Sequence, residues 1–106
     1  MQFEALQAEL NRYPLERVLE CFHGLHGHPL RDRRRSERAF ISSAQTSGVS
    51  IHSSSPGKFR LTVSVFQRGH RFYDELEGSE SSTIGLARAL IARLQERGVE
   101  PVREPQ

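Results

Sequence analysis

Phe59, Leu61, Val63 and Val65 alternate without a break against Arg60, Thr62, Ser64 and Phe66. A strict period of two suits a strand with one buried face, whereas a helix would scatter these apolar groups around its circumference. The flanking segments carry the other period. Phe3, Leu6 and Leu10 recur at intervals of three and four, Leu15, Val18, Leu19 and Phe22 repeat that spacing after Pro14, and Ile84, Ala87, Leu90, Ile91 and Leu94 do so near the end. A chain of 106 residues that passes from helical to strand periodicity and back has room for one small core. It predicts an α+β domain spanning residues 1–106.

Local signals place the boundaries. Pro14 at a first helical position loses no hydrogen bond and pushes Tyr13 out of helical geometry, so a break is expected over residues 12–14. Gly24 and Gly27 are expected to end the second helical piece. Between Pro29 and Gly48 the pattern stays open: Arg31 to Arg38 fits a charged helical turn or a mobile loop, and Ala39-Phe40-Ile41 fits a short strand. Val49 and Ile51 alternate with Ser50 and His52, Ser53 to Gly57 is turn chemistry, and Gln67-Arg68-Gly69-His70 turns the chain again into a strand over Arg71 to Glu77. Phe66 and Tyr73 then fall on the outer face. Serines 79, 81 and 82 offer helix caps, Gly98 and Pro101 close the last helix, and residues 99–106 are expected to fray. The expected architecture is α(α)-β-β-β-α, a three-stranded antiparallel sheet with the N- and C-terminal helices on one face and the other face open. That open face, or a sheet edge, also suits a homodimer.

Charge is segregated. Residues 1–20 balance to −2, residues 21–72 to +7 and residues 73–106 to −3, giving +2 overall. Such a bipolar chain can turn one face to a polyanion while the other stays solvated. Arg31, Arg33, Arg34, Arg35 and Arg38 form the densest basic run, and guanidinium clusters neutralise phosphates and release counterions. Arg60, Arg68 and Arg71 extend the basic surface across the hairpin, with Tyr73 available to stack or to fill a partner's pocket. The rival face is acidic: Asp74, Glu75, Glu77 and Glu80, close in sequence, are expected to form a patch that imitates nucleic-acid phosphates.

Other chemistry is sparse. Cys21, His23, His26 and His28 bring four possible metal ligands together, with glycines between them, but Cys-x-His-x-x-His-x-His matches no standard spacing. Core packing for Cys21 and helix-end positions for the histidines are the competing account. No phosphate-cradling glycine loop, His-Glu-x-x-His or glycine-flanked nucleophilic serine is present, so an enzyme is not expected and no cofactor is implied. The chain has no run of about 18 apolar residues. Its start, Met-Gln-Phe-Glu, lacks the basic and apolar halves of a signal peptide, so the expected location is cytoplasmic with no membrane partner. The single cysteine agrees with a reducing compartment.

Two resemblances cover residues 57–95. Gly57-Lys58-Phe59-Arg60-Leu61-Thr62-Val63-Ser64-Val65, the turn at Arg68-Gly69, and Gly78-Ser79 leading into Leu86 to Ile91 resemble a double-stranded RNA-binding domain in order of elements. That family grips phosphates with lysines at the start of its last helix, where this chain has Glu77, Glu80, Ser81 and Ser82, so the likeness implies topology and not grip. The hairpin followed by Thr83-Ile84-Gly85-Leu86-Ala87-Arg88-Ala89-Leu90 is also similar to small phage and prophage accessory proteins of α/β-sandwich form. That likeness implies a non-enzymatic protein that binds and inhibits or modulates a host protein or ribonucleoprotein complex, as anti-CRISPR proteins do. Direct binding of double-stranded RNA or DNA is the alternative, and metal binding through Cys21 and the histidines is a second.

Overall fold

The computed structural model describes residues 2–26, 31–34, 47–67 and 70–104, with backbone only at residues 2, 26, 31–34, 67, 70 and 71. Three helices, α1 (Gln2–Leu10), α2 (Leu15–His26) and α3 (Glu80–Glu96), accompany four strands, β1 (Arg31–Arg34), β2 (Gly48–Ser55), β3 (Lys58–Gln67) and β4 (His70–Gly78). The expected α+β class and the order α-α-β-β-β-α hold. One element is added: β1, from the stretch whose form the sequence left open, pairs antiparallel with β4 and extends the meander to a sheet of order β1-β4-β3-β2.

The helices begin and end where the local chemistry demands. Pro14 opens α2, its carbonyl accepting from the N–H groups of Arg17 at 3.0 Å and Val18 at 3.1 Å. Gly24 does not end that helix, which runs through it to His26, since a lone glycine costs a helix only about 1 kcal/mol against alanine. The Ser79 side chain caps α3 by accepting from Ser82 N–H at 3.2 Å. At the far end Gly98 takes φ +73°. Its N–H reaches Gln95 carbonyl, and that of Val99 reaches Leu94 carbonyl at 2.9 Å, closing a Schellman motif that only a left-handed residue completes without strain.

All three helices pack on one side of the sheet. Leu61, Val63 and Val65 from β3, with Val49 and Ile51 from β2, meet Leu10, Val18, Phe22, Ala87, Leu90 and Leu94 in a single core. Phe3 adds a tilted ring contact with Phe59 at 4.9 Å. The tail does not fray from residue 99 as expected. Val102 and Arg103 donate backbone N–H bonds to Arg12 carbonyl at 2.6 and 3.0 Å, and the Arg103 guanidinium donates to the carbonyls of Asn11 and Tyr13. These acceptors exist because the break at Pro14 leaves the last carbonyls of α1 without helical partners.

Candidate functional site

The face of the sheet turned away from the helices is built by strand alternation. Register pairs Phe66 with Arg71, Ser64 with Tyr73, Thr62 with Glu75 and Arg60 with Glu77 across β3 and β4. On the outer side of β4, Arg31 stands opposite Tyr73 and Arg33 opposite Arg71. On the outer side of β3, Gly48, Ser50 and His52 stand opposite Ser64, Thr62 and Arg60. Directly opposed residues share a face. The rows therefore read Arg33, Arg71, Phe66; then Arg31, Tyr73, Ser64, Gly48; then Glu75, Thr62, Ser50; then Glu77, Arg60, His52.

The charge changes sign along these rows. Three arginine positions and two aromatic residues occupy the end near the β3–β4 hairpin, and the acids occupy the other. Tyr73 and Phe66 are both partly exposed. Thr62 and Ser64, opposite Glu75 and Tyr73, are buried, at 7% and 9% exposure. Ser47 steadies the rim by accepting from Phe66 N–H at 2.9 Å.

The acidic end is internally satisfied. Ser54 Oγ donates to Glu77 Oε2 at 2.6 Å, and Arg60 Nη2 reaches the same oxygen at 3.3 Å. The hydrogen bond from Ser54 is the largest cause holding the Glu77 carboxyl below its ordinary value of 4.5; desolvation opposes it, and the hydrogen bond and charge of Arg60 with the charge of Lys58 add to the lowering.

The expected binding residues therefore divide. Register brings Arg31, Arg33, Arg71 and Tyr73 together, while Arg34 pairs with His70 at the alternate position of the strand. Arg60 lies four residues along β3 from Ser64, about 13 Å away, and is held by Glu77. Arg35, Arg38 and Arg68 lie outside the described residues. The compact acidic patch is corrected: Asp74 is fully buried on the helix side opposite Val63, its Oδ1 accepting from Glu75 N–H at 2.9 Å. Strand parity separates it from Glu75 and Glu77, and Glu80 belongs to α3. Among the metal candidates, Cys21 is fully buried in the core and His23 is only partly exposed. Two positions apart on a helix, they point about 200° apart. The His26 side chain and His28 lie outside the description, and among the described residues no group of three or more potential ligands gathers.

Phe66 was legible as an outer-face aromatic from its parity, but its neighbours were not. Nothing in the sequence tied the arginines of β1 to Tyr73, and no local signal marked Ser54 as the partner of Glu77. Among the described residues no helix is long and apolar enough to cross a membrane. Comparison with protein-family models, curated proteins and solved structures returned no match for this chain.

Proposed function

We propose that this chain is a non-catalytic binding protein whose working surface is the basic, aromatic end of the sheet face turned away from the helices, and that its partner is nucleic acid, free or within a ribonucleoprotein. The observation that carries this reading is the pairing of β1 with β4, which aligns Arg31 and Arg33 with Tyr73 and Arg71. Clustered arginines beside aromatic residues suit a phosphate-rich ligand, because guanidinium groups displace counterions while the rings add contact with bases. The acidic end, with Glu77 committed to Ser54 and Arg60, limits the surface on one side. Occupying the nucleic-acid surface of a host complex is also how a small protein inhibits it, the role implied by the likeness to phage accessory proteins.

Pull-down from bacterial lysate with and without nuclease, washed at low and high salt, tests the reading. Nuclease-sensitive, salt-labile capture is expected, and the triple variant Arg31→Ser, Arg33→Ser, Arg71→Ser should lose at least tenfold in affinity for a purified oligonucleotide and flatten the salt slope by about two. A defined protein recovered equally after nuclease and at high salt, or a triple variant within threefold of the parent, overturns it.

A further inference from the structure

We draw no further inference here: the strongest candidate, the cleft of about 470 Å³ that Glu4, Gln7, Asn11, Leu15 and Arg103 line between α1, the start of β2 and the C-terminal tail, carries nothing, because Gln7 and Asn11 are already bonded to Ile51 and Val49 and Arg103 to the carbonyls of Asn11 and Tyr13, and among the described residues no unpartnered buried polar side chain lines it to say what would bind.

Discussion

Asn11 makes more specific contacts than its place in a short polar turn suggests. Its Oδ1 accepts from Val49 N–H at 2.9 Å, while its Nδ2 donates to Val49 carbonyl at 3.0 Å and to Gln7 carbonyl at 2.9 Å. A Cβ on Gly48 would stand 3.3 Å from the same Oδ1, a tight approach that the glycine avoids. Asn11→Ala leaves a partly buried strand N–H without its acceptor, and the expected loss is about 1–3 kcal/mol in urea unfolding. A loss below about 0.5 kcal/mol would show that water replaces the amide at no cost. Glu77 supplies a second prediction at this scale. Because its folded-state value lies below the unfolded value of 4.5, its contribution to stability is present above that pH and is lost as pH falls through the folded value. Ser54→Ala removes the largest cause, so carboxyl NMR should show the Glu77 midpoint rising toward 4.5, and an unchanged midpoint would assign the effect to Arg60.

The same amide belongs to a device of the whole strand β2. As the sheet edge away from β1, β2 carries outward N–H and carbonyl groups that invite a second chain. Helix α1 covers them: Gln7 Oε1 accepts from Ile51 N–H at 2.9 Å, one step along from the Asn11 contacts with Val49. The Gln7→Ala, Asn11→Ala double variant should therefore show concentration-dependent dimers by light scattering where the parent chain does not, and a variant that stays monomeric at high concentration would argue that α1 shields the edge by bulk alone. At the start of α3, Ser79→Ala removes the cap on Ser82 N–H. Its expected cost is about 1 kcal/mol, with hydrogen exchange rising first in the opening turn of the helix. Equal protection there would mean that Ser81 or the solvent substitutes for the cap.

At the level of the whole molecule, register converts a charge division along the chain into a polarity across one face. Arg31 and Arg33 meet Arg71 and Tyr73 at one end, and Glu75 and Glu77 lie toward the other. The C-terminal tail ties the far side of the molecule together, with Arg12 Nε donating to Arg103 carbonyl at 3.2 Å and Arg103 reaching back to Asn11 and Tyr13 carbonyls. Deleting residues 101–106 should lower stability by about 1–3 kcal/mol, read as a fall in thermal midpoint. A deletion that leaves the midpoint unchanged would show that the tail contacts exchange for water without loss.

Periodicity alone determined the kinds of element, the break at Pro14, the stop at Gly98, the inward set Leu61, Val63 and Val65 and the outward placing of Phe66 and Tyr73, because each depends on residues within a few positions of one another. Tertiary structure decided the rest. The strand at Arg31–Arg34 has a composition that suits a loop, and it becomes strand by completing the free edge of β4. Asp74 sits in a run of acids that reads as surface, yet strand parity turns it inward while its neighbours face out. Asn11 and Gln7 look like ordinary polar positions of a helix until β2 arrives beside them. In each case the deciding interaction joins segments distant along the chain, and local patterning carries no information about which distant backbone group will need a partner.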